Sequence, residues 1–145
     1  MSLSAQQVQQ LIREGVPMAN DIDLRVERIE PGQALARIPF HDRMLRPGGS
    51  LSGPVQMALS DATMYAAVLG TLGAVEMAVT SNLNINFLRR PAAVDLYAHA
   101  RVLKMGARLA YCDVRLTSAV EGVYDEHSDL VAHVTGTYAL PGNPG

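Results

Sequence analysis

The chain has 145 residues, 48% of them apolar, which suits one domain spanning 1–145 with a sizeable core. A net charge of −2 gives no bulk attraction to nucleic acid or to an acidic membrane surface, so an anionic ligand needs local basic groups. A single cysteine, Cys112, excludes an intrachain disulfide. Nothing resembles a metal-ligand cluster, and no stretch reaches the ~18 apolar residues of a membrane span. With no secretory leader pattern and one cysteine, a cytoplasmic location is expected.

Ser4 suits the N-cap of a short amphipathic helix within residues 1–17, with Val8, Leu11 and Ile12 on one face and Gly15 and Pro17 at its end. This helix is expected to lie across the surface of a core spanning 21–140. From Asp21 the period changes to two: Ile22, Leu24 and Val26 alternate with Asp23, Arg25 and Glu27, which predicts a half-buried strand. Glu30-Pro31-Gly32-Gln33 suits a turn, and a second strand follows through Ala34, Ala36 and Ile38. Pro39 to Gly49 reads as a loop that carries Arg43 and Arg46 to the next element.

Ser52 to Leu69 predicts one long helix buried on nearly all sides. At about 100° per residue, Gln56, Ser60, Thr63 and Ala67 form a narrow, weakly polar stripe. Asp61 falls elsewhere, among Pro54, Met57, Met64, Tyr65 and Val68. A carboxylate among apolar neighbours loses hydration worth several kcal/mol, so it has to be hydrogen-bonded, protonated, or set at the mouth of a site.

Gly70 and Gly73 end the helical pattern. In the next strand Val79, Leu83, Ile85 and Phe87 form one side, and Thr80, Asn82, Asn84 and Asn86 the other, which calls for a polar neighbour. Three more strands are predicted, Val94 to Lys104, Arg108 to Ser118 and Leu130 to Leu140, with a mobile acidic loop around Glu121 to Asp129 before the last. Two strands, a long helix and four consecutive strands suit an α+β fold, an antiparallel sheet wrapped around one helix.

The stretch Gly48-Gly49-Ser50-Leu51-Ser52-Gly53-Pro54 running into Ala58-Leu59-Ser60-Asp61, the strand Thr80 to Pro91 (TSNLNINFLRRP) and the turn Lys104 to Arg108 resemble the hot-dog-fold acyl-CoA thioesterases, particularly the phenylacetate-pathway type. The resemblance covers Asp21 to Leu140. It implies that Asp61 is the catalytic carboxylate, as nucleophile or general base, and that the Gly53 N–H binds the thioester oxygen. A helix N-terminus suits that task physically, because its free N–H groups and partial positive charge stabilise an oxyanion. Asp61 lies about 12 Å further along the helix, too far for both to serve one site in one subunit. The resembling family combines them across a dimer, which implies composite sites here, in a dimer or a dimer of dimers. Thr80 matches a hydroxyl that orients the attacking water in some members.

The chain departs from that family's pattern at three positions: Ser52 stands for the motif histidine, Pro54 for the second glycine, and Arg46 where some members carry an asparagine. Ser52 is either a helix cap or a substrate contact. Arg89 and Arg90 are candidates for the phosphates of coenzyme A, because guanidinium groups match phosphate oxygens, with Arg46, Lys104 and Arg108 as further basic candidates.

Each assignment has a plainer alternative. Asp61 could pair with Arg43 or Arg46, Arg89 and Arg90 could be an ordinary charged strand end, and Met57, Met64 and Met77 could be core instead of an adaptable pocket. Cys112 alternates with Ala110 and Val114 as a packed core thiol would, and His41, His99, His127 and His133 show no spacing for a triad or a metal site. The function expected is hydrolysis of an acyl-CoA, or of a thioester on acyl carrier protein, with no metal or separate cofactor. The alternatives are a non-catalytic acyl-CoA or fatty-acyl binding protein and, third, a dehydratase, disfavoured because no histidine lies between His41 and His99.

Overall fold

The computed structural model describes residues 3–44 and 51–141; Arg46 and the Gly48–Ser50 segment fall outside them. Ser4 caps the first helix, α1 (Ala5–Gly15), through a reciprocal capping box with Gln7. Val8 and Ile12 are fully buried, so α1 docks into the core as well as lying across the surface. Pro17 then starts a short second helix, α2 (Pro17–Asp21), where its fixed φ and missing N–H suit the first turn.

That short helix corrects the expectation of a strand from Asp21. Asp23 turns the chain with φ 53°, and strand β1 (Arg25–Glu30) begins only after it. The apparent alternation of Ile22 and Leu24 reflects two residues buried from a turn. Gly32, at φ 75°, makes the hairpin to β2 (Gln33–Ile38) as the Pro-Gly pair requires. A 3-10 turn at Asp42–Met44 begins the loop that follows.

The long helix, α3 (Gly53–Leu72), runs through Gly70 and stops at Gly73, whose φ is 91°. Strands β3 (Val79–Phe87), β4 (Leu96–Met105), β5 (Leu109–Ser118) and β6 (Ala132–Ala139) complete one antiparallel sheet in the order β1-β2-β4-β5-β6-β3, wrapped around α3. Alanines on the inner face, among them Ala36, Ala98, Ala100 and Ala110, let the helix seat close to the strands. No helix among the described residues is long and apolar enough to cross a membrane.

Two expectations about faces are corrected, the burial of α3 on nearly all sides and the shared face of Thr80 and the asparagines. The stripe of Gln56, Ser60, Thr63 and Ala67 faces the sheet and is buried, since Ser60 and Thr63 return their hydroxyls to the carbonyls of Gln56 and Leu59. The helix is not buried on nearly all sides: Pro54 and Met57 are exposed, and Asp61 on the same flank is half-buried. In β3, the register shifts between Thr80 and Asn82. This bulge puts Thr80 opposite Tyr138 on the helix side, while Asn82, Asn84 and Asn86 lie opposite Thr137, Thr135 and His133 on the outer side. Thr80 and the asparagines therefore occupy different faces.

The acidic loop after β5, expected to be mobile, is tied down instead. Val120 and Val123 bridge, Tyr124 packs on Tyr97, and the Asp125 carboxylate accepts the His127 N–H.

Gly70 marks the tightest contact between α3 and the hairpin. A Cβ there would lie 2.6 Å from Ile29 Cγ2, so any larger residue forces the Ile29 side chain to shift. Gly70→Ala should lower unfolding free energy by about 1–2 kcal/mol in urea denaturation, overpacking exceeding the gain in helix propensity. Combining it with Ile29→Val should recover part of that loss in a double-mutant cycle.

Candidate active site

The start of α3 leaves one backbone donor without an acceptor among the described residues. Ser52, in extended conformation, accepts the Val55 N–H on its Oγ at 3.4 Å and the Gln56 N–H on its carbonyl at 3.2 Å. Pro54 has no N–H to offer. Among the described residues, the Gly53 N–H meets no acceptor and remains free at the positive end of a 20-residue helix. Ser52 thus serves as the helix cap. Glycine at 53 is also a matter of space, because a Cβ would sit 3.3 Å from Phe87 Cζ, at the far end of β3.

Asp61 is held differently from the arginine pairing considered above. Its Oδ1 accepts hydrogen bonds from Thr80 Oγ1 at 2.5 Å and Tyr138 Oη at 2.9 Å, and Tyr138 also reaches the Asp61 carbonyl at 3.1 Å. Neither Arg43 nor any other cation among the described residues forms an ion pair with it. Oδ2 has no hydrogen-bond partner among the described residues. Burial, with the Asp61 carboxylate beside it, pushes the Tyr138 phenol well above its ordinary range, so Tyr138 stays a hydrogen-bond donor at any working pH. The result is a carboxylate with one oxygen anchored by two hydroxyls and the other left open.

Asp61 borders two cavities. The larger, about 460 Å³, is lined by Leu11, Glu14, Glu76, Val79 and Thr80 as well as by Asp61. The smaller, about 70 Å³, runs between α2 and α3 and is lined largely by apolar side chains. Tyr65 and Tyr138 border both, their rings stacked with centroids 5.7 Å apart.

The other candidates are spread out. Gly53 and Asp61 are eight residues apart on one helix, about 12 Å at 1.5 Å per residue. Arg89 and Arg90 follow the Phe87 end of β3, where Arg89 forms an exposed ion pair of 2.6 Å with Asp129. Both border an open cleft with Ser118, His127 and Ser128. Lys104 and Arg108 are exposed at the β4–β5 hairpin, next to the Val79 end, so the nine residues of β3, roughly 30 Å, separate the two basic pairs. Arg46 lies outside the described residues. Met64 is fully buried core, whereas Met57 and Met77 are exposed on the flank of α3 and beside β3.

Sequence reading missed Tyr65 and Tyr138 as members of the site. The alternation of β6 turns Tyr138 inward, but only the tertiary fold shows which group its hydroxyl meets. It also missed Asp113, buried on the outer face of the sheet, where it accepts from Arg101 at 3.3 Å and lies 3.1 Å from His133 Nε2. His99 is half-buried against Gln33 Oε1 on that face, away from Asp61. Among the described residues no cluster suited to a metal ion occurs.

Comparison with known proteins follows the same direction as this geometry. A family model described as the thioesterase superfamily matches residues 48–124. A Saccharolobus solfataricus protein provisionally named an esterase is 31% identical over 95% of this chain and 86% of its own length. The crystal structure of a provisionally named thioesterase from Silicibacter sp. TM1040 superposes with a TM-score of 0.81 at 34% identity, covering 96% of this chain and 92% of that one. The PaaI protein of the E. coli phenylacetic acid degradation operon shares the fold with a TM-score of 0.79 at 22% identity, over 96% of this chain and 94% of its own.

Cys112 is fully buried on the inner face of β5, as its alternation implied, and burial pushes its thiol from an ordinary 9.0 up to about 11. A thiol raised on folding stabilises the fold below pH 9.0, and this contribution is lost as pH rises towards about 11. Unfolding free energy measured in urea should fall over that interval, and Cys112→Ala should make the decline shallower. An unchanged slope in the variant would refute the assignment.

Proposed function

Because the chain belongs to the thioesterase superfamily, we propose that it hydrolyses acyl-CoA thioesters to the free acid and coenzyme A, with Asp61 as nucleophile or general base. The observation that carries this reading is the asymmetric carboxylate: Oδ1 accepts from Thr80 and Tyr138, leaving Oδ2 open to the cavity. Asp61 is half-buried, so the oxygen that takes no protein donor remains accessible to water or substrate from the cavity that Asp61 lines.

The chemistry follows from that arrangement. Oδ2 either attacks the thioester carbonyl to give a mixed anhydride, which water then opens, or takes a proton from water as that water attacks. In both routes the C–S bond breaks and coenzyme A leaves as the thiol. Thr80 donates to Oδ1 and keeps lone pairs that orient the water. Negative charge develops on the carbonyl oxygen, and the free N–H of Gly53 is the donor suited to it.

Gly53 and Asp61 are too far apart to serve one carbonyl, so the site is proposed to form between two subunits. The edges of the sheet support this. The β1 edge carries Arg25, Glu27, Arg28 and Glu30, has a bulge after Val26, and is tied at Val26 N–H by Gln9 Oε1. These are features that block strand addition. The β3 edge is nine residues long and mostly exposed, without a charged side chain. Two copies of β3 paired antiparallel about Leu83 would bring the Gly53–Phe87 end of one subunit to the Asp61–Thr80 end of the other. Arg89 and Arg90 would then sit near the entrance, suited to the phosphates of coenzyme A, with Lys104 and Arg108 of the second subunit on the same side.

The runner-up reading is an acyl-CoA binding protein without turnover, favoured by the use of Ser52 as a cap where the resembling family has a histidine. Thiol release from an acyl-CoA panel separates the two. Asp61→Asn, nearly isosteric, should lower kcat/KM by roughly a hundred-fold or more. Tyr138→Phe, which removes one anchoring hydroxyl, should lower it by about ten-fold, the worth of one hydrogen bond. Binding with no thiol release by the unaltered protein would overturn the hydrolase reading.

A further inference from the structure

The two cavities that meet at Asp61 differ in a way that bears on the acyl group. Resting on the hydrolase reading above, we infer that the acyl tail enters the crevice between α2 and α3, and that the site selects short, uncharged acyl groups. The elbow at Val16–Pro17 folds α2 back onto α3, so Met18, Ala19 and Ile22 form one wall. Ala58 and Ala62 form the other, one helical turn apart on the flank of α3 that carries Asp61. Their small side chains make room that larger residues would fill.

Among the described residues, the crevice has no free polar side chain apart from Asp61 at its mouth. The Tyr65 hydroxyl donates to the Glu76 carbonyl at 2.9 Å, and the Tyr138 hydroxyl is engaged with Asp61. Its volume, about 70 Å³ against about 460 Å³ for the outer cavity, suits a short acyl tail, on the order of four to six carbons. The outer cavity adds a charge criterion. Glu14 and Glu76 line it and, among the described residues, no lysine or arginine does. An acyl group ending in a carboxylate would have to pass these two like charges and then bury its own charge in the apolar crevice, while a neutral tail incurs neither cost.

The test is thiol release from a straight-chain series, acetyl- to dodecanoyl-CoA, together with glutaryl-CoA as the carboxylate-ended probe. The unaltered protein should show its highest kcat/KM at about four to six carbons, with at least a ten-fold fall for dodecanoyl and for glutaryl. Ala62→Leu should move the optimum to acetyl, Met18→Ala should move it to longer chains, and Glu14→Gln combined with Glu76→Gln should raise glutaryl turnover relative to hexanoyl. Dodecanoyl preferred by the unaltered protein, or variants that scale every substrate equally, would overturn the inference while leaving the hydrolase reading standing. If nothing is hydrolysed, that reading fails, and calorimetry decides the crevice alone: a ten-fold loss of hexanoyl-CoA binding in Ala62→Leu upholds it, and equal binding overturns it.

Discussion

A single oxygen, Asp61 Oδ1, joins the central helix to the last two strands of the sheet, and the geometry of the site depends on that junction. Tyr138 reaches it from β6, and Thr80 reaches it from β3 only because the register shifts after Thr80. Without the bulge, Thr80 would share the outer face with the asparagines and the carboxylate would have one anchor. The bulge re-aims one side chain at the cost of a ladder bond, a use of irregular pairing often seen beside active sites. Because both hydroxyls bind the same oxygen, the other has no hydrogen-bond partner among the described residues.

The helix supports this site by burying a few polar side chains along with its apolar ones. Ser60 and Thr63 can be buried against the sheet since each satisfies its hydroxyl on the carbonyl four residues earlier. That frees the opposite flank, with Met57, Ala58, Asp61 and Ala62, to border cavities and open surface. The small inner-face residues of the hot-dog sheet bring the strands close enough for Tyr138 to touch Asp61. Where the approach is tightest, at Gly136, a Cβ would lie 2.6 Å from Met64 Sδ. Close seating of helix on sheet and the position of the carboxylate are thus one packing arrangement.

Much of the fold was legible in the sequence for identifiable reasons. Ser4 as a cap, Pro31-Gly32, and the strands β4, β5 and β6 rest on local signals, acting over a few residues through backbone geometry or a period of two. The expected strand at Asp21 failed because Ile22 and Leu24 are buried from a turn after a Pro-initiated helix, which alternation alone does not distinguish from a strand. The face of Thr80 failed because period-two counting assumes unbroken register. Asp61 stood out in sequence as an acid on an apolar flank. Its true partners, 19 and 77 residues away, did not, and neither did the Asp113 cluster that links three strands.

Propensity, caps and hydrophobic period are local properties of the chain, and they made most of the elements, though not α2, legible together with the α+β order and the unusual position of one carboxylate. Tertiary structure decided which oxygen of Asp61 is anchored, which face Thr80 occupies, and that a crevice opens between α2 and α3. It also set the two basic pairs at opposite ends of β3. Those outcomes depend on strand register and on the closeness of helix to sheet, and both arise only when distant segments pack together.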